Sequence, residues 1–496
     1  MQNIIKSKAD AFISFINHPK PSYVFIFIIG LQTLLHLPFF GQPPVGQHTW
    51  RQVIGSSAAR SFYEEDNNIL YPKSDIRMSD DDSGYLYQEF PSLYWVVGQT
   101  FFLTGYHHHN IRVVTFLINI LLLFAIYSFT QRIGFSKKRS LLMVFFVSCS
   151  PLYFYYSFNI LPNMPGLMLY LFSLSFFIAA IDRRSLGWTF WLAVFCLTNA
   201  VLIKSTYMFF GLPLAWIFIS KFLARKDYKI VLQAILGGGV VFIFWYAMYR
   251  HSVFIQQNAV FERGSTITLH PTPVTGGFLE FLRVIKIAFP KWFLEMVVNL
   301  AALPMFLAGL FVAVKTKFWN KPWGIFWVLY LLSFFIYALC FSALFEDHSY
   351  YLTSTLLMTG IASAYGAERL LSSKYRYFII FLMILMPIVM FTRVDGRWKK
   401  DRQIPIELLE QVEEIRRFLP EGKRVVIAGD HNPAVFLYHI HRKGVRFNKI
   451  DSERLGYLKD HGFEYILAYT PRSDLIDIEP QITEIGRVGE FIIYKF

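Results

Sequence analysis

The sequence predicts a polytopic α-helical membrane protein with about eleven transmembrane helices, a first outer loop of surface helices, and a small C-terminal α/β domain on the outer face. Three observations predict it. Apolar stretches of span length recur along the 496 residues, 54% of which are hydrophobic. The loops between them alternate: one carries Lys and Arg, the next carries acids, His and aromatic residues. Basic loops mark the cytoplasmic side. After residue 393 the long apolar stretches give way to short amphipathic patterns. The net charge of +14 sits largely in short loops between spans, which points to orientation and anionic lipid rather than to nucleic acid. Cys149, Cys196 and Cys340 lie in apolar runs without metal-ligand spacing, so they read as buried packing residues, not as a disulfide framework.

A span takes roughly 20 apolar residues. The lead MQNIIKSKADAF, with Lys6 and Lys8, reads as a short amphipathic segment and not as a cleavable signal peptide. The first span is Tyr23–Phe40, and the polar segment from Gly41 to about Asn110 follows it. The next spans are Ile111–Thr130, ending in the basic QRIGFSKKRS; Leu141–Tyr156; and Met164–Ile181, ending at Arg183 and Arg184. Gly187–Ile203 and Tyr207–Phe222 are separated only by KSTY. Ile230–Tyr249 leads into a long outer loop, Arg250–Glu295. Met296–Val314, Trp323–Phe345, Tyr351–Ala367 and Tyr377–Thr392 complete the set. Pro91–Leu103 is apolar but too short to span comfortably, and reads as an interfacial helix. Counting it as a span would invert the charge alternation of every later loop.

With an odd number of spans and a cytoplasmic N-terminus, the C-terminal residues lie outside. There IPIELLEQVEEIRRFLP and PAVFLYHIHRKG read as helices, and RVVIAGD, FEYILAYT and EFIIYKF as strands. The RVVIAGD turn lacks a Gly-rich phosphate loop, so nucleotide binding is not expected and an accessory docking or stabilising role is. The expected division is a transmembrane catalytic domain over 1–393, with the loop 41–110 inside it, and a soluble α/β domain over 394–496.

The first outer loop is dense in groups capable of chemistry: GQHTWRQ at Gly46–Gln52, Arg60, YPKSD ending at Asp75, the acidic run Asp80–Asp82, and QEFPSLYW at Gln88–Trp95. Carboxylates and His held over lipid headgroups can deprotonate a hydroxyl. Arg and Lys there can hold a lipid phosphate. Glu89 before a proline is also an ordinary helix-entry residue, His48 an ordinary hydrogen-bonding His, and Asp80–Asp82 reads first as a solvated turn, with a divalent metal as the alternative. His107–His109 are consecutive on a helix and point different ways, which argues against a metal site. Lys204, between two spans with almost no loop around it, is a costly position for a cation and reads as functional, with snorkelling to lipid as the bland alternative. EDHSYY at Glu346–Tyr351 combines acids, His and two Tyr at an outer span end; an aromatic membrane belt accounts for the tyrosines but poorly for Glu346, Asp347 and His348. Glu262, Arg263 and His270 lie in an outer loop that could cap a site.

These residues and their layout resemble the GT-C integral-membrane glycosyltransferases, in particular the protein O-mannosyltransferases and the bacterial aminoarabinose transferases that modify lipid A. QEFPSLYW resembles the acidic-then-proline motif of the second group, in which Glu-Lys-Pro-Pro-Leu precedes an aromatic pair; Glu89 falls on that Glu, while Phe90 and Ser92 replace Lys and the second Pro. HTWRQ, ARSFYEE and LYPKSD resemble a bacterial subgroup of the same superfamily. Lys204 matches a Lys that the family places at a span end. One departure stands out. The usual Gly-Asp of the first loop is Gly46-Gln47 here, and Gln47 cannot act as a base. His48, with a reference pKa of about 6.5, can.

The resemblance implies an inverting transfer of a sugar from a polyprenyl-phosphate-linked donor to a hydroxyl of a glycan, lipid or protein, at an active site facing the periplasm or exterior of a bacterial inner membrane. Glu89, His48 and Asp75 are the candidate bases, expected to gather with the His348 loop around an outer cavity. Lys204, with Arg51 and Arg60, is expected to hold the donor phosphate. Glu346, His348, Tyr350 and Tyr351 are expected to order donor or acceptor. A divalent metal is possible. No nucleic-acid partner is expected. The alternatives are a transporter or flippase of lipid-linked sugars, against which stand the carboxylate-rich loop and the absence of visible paired halves, and a glycan polymerase or ligase.

Overall fold

The computed structural model describes residues 20–77, 83–85, 89–258, 277–400, 404–429, 432–447, 450–469 and 481–496. The expectations for Lys6, Lys8, Asp80–Asp82, Glu262, Arg263 and His270 lie outside these residues. The helices are α1 Pro21–His36, α2 Thr49–Glu64, α3 Ser92–Thr104, α4 His108–Arg132, α5 Lys137–Ser148, α6 Pro151–Tyr156, α7 Asn163–Arg183, α8 Trp188–Ile203, α9 Gly211–Arg225, α10 Tyr228–Asn258 and α11 Gly277–Ala288. They continue with α12 Leu303–Lys315, α13 Pro322–Cys340, α14 Ser342–Asp347, α15 Thr355–Leu371, α16 Arg376–Lys400 and α17 Ile406–Phe418. The C-terminal residues then form β1 Arg424–Ala428, α18 Pro433–Ile440, β2 Lys443–Phe447, α19 Ser452–Asp460, β3 Phe463–Tyr469, β4 Thr483–Val488 and β5 Phe491–Lys495.

Contacts divide the chain into two compact units, one drawn from 1–41, 112–248 and 270–395, the other from 42–111, 249–269 and 396–496. Contact thus groups the first loop with the C-terminal residues, whereas the sequence reading groups 41–110 with the spans.

In the first unit every stretch read as a span is helical. Among the described residues seven helices are long and apolar enough to cross a membrane, and an eighth is formed if Gly277–Val297 and Leu300–Lys315, bent by 88°, count as one. The remaining stretches are interrupted or short. Pro151 ends α5 at Ser148 by denying the helix an amide donor. Groups at this break find partners: the Asn299 amide donates to the Cys149 carbonyl at 2.8 Å and to that of Met386 in α16 at 2.9 Å, and the Ser150 hydroxyl donates to the Val297 carbonyl at 2.9 Å. Non-helical backbone is tolerated at such depth only when satisfied in this way. Phe289–Val297 winds as a π-helix, and Asn299 caps the turn that starts the next helix. The long loop expected over Arg250–Glu295 is therefore a correction: α10 runs into it, and α11 and the π-turn occupy its end. The apolar and polar residues of GFLEFLRVIKIA fall on opposite helix faces, which explains why it folds as a helix beside the bend.

Small residues let α12 and α15 approach closely. A Cβ on Gly309 would lie 1.7 Å from the Ala362 carbonyl oxygen, and one on Gly366 would lie 1.8 Å from that of Met305. The α12 and α15 backbones therefore touch, as is common where lipid supplies no hydrophobic drive between helices.

In the second unit the sheet order is β2-β1-β3-β5-β4. β1 runs parallel to β2 and β3, whereas β5 runs antiparallel to β3 and β4. Val426, Ala428, Ile466 and Ala468 pack against Leu455, Leu458 and Ile450 on one face. The sequence reading missed β2, β4 and α19. KGVRF, SERLGYLKD and TEIGRV carry too little apolar pattern to announce themselves. The stretch Pro91–Leu103 is helical, as α3.

Candidate active site

In the second unit α2 is the spine of the site. Its entry residue His48 is buried and adopts a left-handed backbone, φ 60°, a conformation uncommon outside glycine. The His48 carbonyl accepts the amides of Arg51 and Gln52 at 3.0 and 3.1 Å, which starts the helix. One turn along, the buried Arg51 guanidinium donates to both carboxylate oxygens of Glu89, and the Tyr94 hydroxyl donates to Glu89 Oε1. All three side chains are buried. Burial pushes the Tyr94 phenol well above its ordinary range, so it remains a hydrogen-bond donor. Gly55 makes room for it: a Cβ there would meet the Tyr94 ring at 2.7 Å. A carboxylate offers about four lone-pair sites, so these contacts fix Glu89 without exhausting it.

Two turns farther along α2, Arg60 is 2% exposed and donates to Asp75 Oδ1 at 2.7 Å. Its guanidinium lies 5.5 Å from the Tyr106 ring centre and 5.1 Å from that of Tyr438. The Tyr106 hydroxyl donates to that of Tyr438 at 2.7 Å. Burial works against the Arg60 charge, but Asp75, Tyr106 and Glu64 hold its pKa above the ordinary guanidinium range. The backbone joins in: Gly444 donates its amide to Asp75 at 2.9 Å and accepts that of Arg77 at 2.7 Å. The Arg77 side chain reaches both Glu65 oxygens at 2.7 and 2.8 Å, and Lys443 pairs with Glu65 at 2.8 Å. The first loop is thus bound to α18 and β2 by ion pairs, aromatic contacts and a short backbone ladder.

Replacing Asp75 by Asn leaves the Arg60 charge buried with, among the described residues, the Glu64 carboxylate 3.7 Å away to oppose it. Such a loss costs about 3–5 kcal/mol, and denaturant unfolding of the variant measures it. Replacing both partners by apolar residues of similar volume recovers most of that loss.

Acid weakens the same region. Burial, with help from the His108 charge, pushes His439 down to about 3. Between about pH 6.5 and that value the unfolded chain binds a proton that the folded chain refuses, so stability falls as pH falls. For Glu64, burial raises the pKa, but the His441 hydrogen bond and the Arg60, His441 and Lys443 charges outweigh it, and the net shift is downward. Its contribution is present above about 4.5 and is lost as pH falls through the lowered value. Hydrogen-exchange protection over α2 and α18, taken relative to the intrinsic exchange rate at each pH, is therefore lower at about pH 5 than at about pH 7.5. His439→Leu flattens the upper part of that change.

In the first unit Lys204 ends α8, and its Nζ lies 5.1 Å from the Tyr351 ring centre and 6.0 Å from that of Tyr350. The structure thus joins Lys204 to the EDHSYY segment, far away in sequence. The Asn163 amide donates to the Tyr350 carbonyl at 3.2 Å, and the Tyr156 hydroxyl bonds Ser349 at 2.7 Å. The His348 ring stacks edge-on with Tyr350 and Tyr351 at 5.3 and 5.9 Å. Glu346 accepts from Arg283 at 2.7 Å, and its carbonyl accepts the Trp292 indole at 3.0 Å. An apolar cavity of about 460 Å³ adjoins this segment, lined among others by Phe345, Leu352, Phe289, Phe334 and Trp327.

The structure therefore forms two groups: Glu89 with Arg51 and Tyr94, and Asp75 with Arg60, in one unit; Lys204 with His348, Tyr350 and Tyr351 in the other. Sequence reasoning missed Tyr94, Tyr106, Tyr438 and Arg283. The tyrosines sit in stretches whose apolar content hid them, and Arg283 lies in a segment read as loop. Among the described residues no three His, Cys, Asp or Glu side chains converge to hold a metal ion.

The chain has the fold of the GT-C membrane glycosyltransferases. It is similar to ArnT from Cupriavidus metallidurans bound to undecaprenyl phosphate, at 11% identity and a TM-score of 0.64, over 96% of this chain and 98% of that one. It is also similar to the archaeal oligosaccharyltransferase AglB from Archaeoglobus fulgidus, in complex with an inhibitory peptide and a dolichol-phosphate, at 10% identity and a TM-score of 0.62, over 92% of this chain and 70% of that one. Residues 89–249 match the family described as dolichyl-phosphate-mannose-protein mannosyltransferase. No curated protein matches by sequence.

Proposed function

We propose that the protein is an inverting glycosyltransferase that moves a sugar from a polyprenyl-phosphate donor to an acceptor hydroxyl, on the side of the membrane opposite its basic loops. The supporting observation is that the matched residues 89–249 include both Glu89 and Lys204. Glu89 takes the acceptor proton, with His48 as the rival base and Asp75 after it. The hydroxyl attacks the anomeric carbon and the polyprenyl phosphate departs. Lys204, held against Tyr351, offsets charge on the departing phosphate. Arg51 serves first by orienting Glu89. In this reading Arg60, whose buried charge is opposed by Asp75, serves to hold the first loop together. The tail of the donor occupies the cavity lined by Phe345 and Leu352. His348, Tyr350 and Glu346 order the sugar beside it.

Purified protein given a short-chain polyprenyl-phosphate sugar and a mixed pool of glycan, lipid and peptide hydroxyls tests the reading. Release of polyprenyl phosphate with sugar on an acceptor is the expected result. Movement of the lipid across a vesicle wall without transfer would establish a flippase instead. A reporter fused after Phe496 that is active only in the cytoplasm would overturn the outward placement of the C-terminal residues.

A further inference from the structure

A second apolar crevice, of about 630 Å³, lies between α1, α5 and α16 and is separate from the residues assigned above. Its wall includes Leu31, Leu142, Phe145, Ile384 and Pro387, and its one charged lining residue is Lys138. The three helices run in the same direction. Gln32 near the end of α1 donates to the Ser148 carbonyl at the end of α5 at 2.8 Å, and Phe39 packs against Phe391 with ring centres 6.2 Å apart. Lys138 therefore marks one end of the crevice, beside Val24 and Ile380, and Leu35, Phe145 and Thr392 mark the other.

Length and charge identify an occupant. From Val24 to Leu35 and from Ile380 to Thr392 the crevice follows about 17 Å of helix at 1.5 Å per residue. Half of a hydrocarbon core of about 30 Å is about 15 Å, so the crevice is one leaflet deep. Its charged end belongs to QRIGFSKKRS, which contains no acid. The neighbouring Arg139 is paired with Glu368 at 2.8 Å, which leaves the acid of that pair neutralised rather than opposing an anion. Basic residues at the mouth of a cleft between membrane helices suit a lipid phosphate.

We propose that this crevice is a binding site for an anionic glycerophospholipid of the leaflet on the basic-loop side, with one acyl chain between α1, α5 and α16 and the headgroup phosphate at Lys138. The site would add to the Gln32–Ser148 hydrogen bond in holding the three helices together. The proposal is independent of the glycosyl-transfer reading, and its ligand enters from the opposite leaflet to the proposed donor.

Native mass spectrometry of the full-length protein in nonionic detergent tests it, with phosphatidylglycerol, phosphatidylcholine and undecaprenyl phosphate added separately and in competition. Phosphatidylglycerol is retained about fivefold or more over phosphatidylcholine, the effect of one basic side chain near an anionic lipid surface. Lys138→Gln removes that preference, and Leu31→Trp fills the crevice and removes the adduct, while sugar transfer by both variants is unchanged. If Leu31→Trp fails to fold, Lys138→Gln alone decides. Equal retention of the two phospholipids, retention unchanged in Lys138→Gln, or displacement of phosphatidylglycerol by undecaprenyl phosphate at equal concentration would each overturn the proposal.

Discussion

Glu89→Gln lowers sugar transfer by about 10²–10⁴-fold, the usual worth of general-base assistance, while donor affinity stays close to that of the unaltered protein. Gln retains an oxygen to accept from Arg51 and Tyr94 but carries no charge and no basicity. The substitution also leaves the Arg51 charge without its carboxylate, so thermal unfolding must accompany the kinetics. Tyr94→Phe separates the two effects: it keeps the carboxylate and removes one of the groups that aim it, so turnover falls less than in Glu89→Gln and the binding of donor is unaffected. His48→Asn examines the rival base. If both Glu89→Gln and His48→Asn turn over at the original rate, neither group takes the proton, and Asp75 is the next residue to test.

Lys204→Ala weakens donor binding and turnover together, by about 10–100-fold, as expected for loss of a hydrogen bond to a charged group. Folding survives, because α8 ends at Ile203 by its own backbone pattern and the Lys204 amide still bonds to the Ala200 carbonyl at 3.0 Å. Lys204→Arg restores part of the binding, since the charge returns with a different shape. Competition with polyprenyl phosphate supplies the measurement. A variant that binds this ligand as well as the original protein does removes Lys204 from the phosphate.

The membrane fold was legible because two strong signals, apolar length and loop charge, act over the whole chain. Every stretch read as a span is helical. The breaks were less legible. Pro151 is visible in the sequence, but the partners that make the break tolerable, Asn299 and Ser150, are distant and come from different segments. At the site the same distinction holds. Glu89 and Lys204 stood out by motif and by cost of position. That Glu89 would be gripped by Arg51, or Arg60 by Asp75, follows from the pitch of α2 and the path of the loop after it, neither of which is written in local pattern. The carboxylates that face Arg51 and Arg60 were not legible because a sequence displays charges without their counterions.

The pairing of Ile76 with Gly444 has a consequence in time. About 370 residues separate the two, and at the usual pace of about 5–20 residues per second the ribosome takes roughly 20–70 s to travel from one to the other. Throughout that interval Asp75 and Arg77 have no Gly444 to bond, and Arg60 has no Tyr438 to rest against. Gly444 itself admits no side chain, because a Cβ there would lie 1.8 Å from the Val425 carbonyl oxygen. The segment from Asp75 to Arg77 is therefore completed late although it is made early, and a nascent chain that stops before β2 leaves it without these partners.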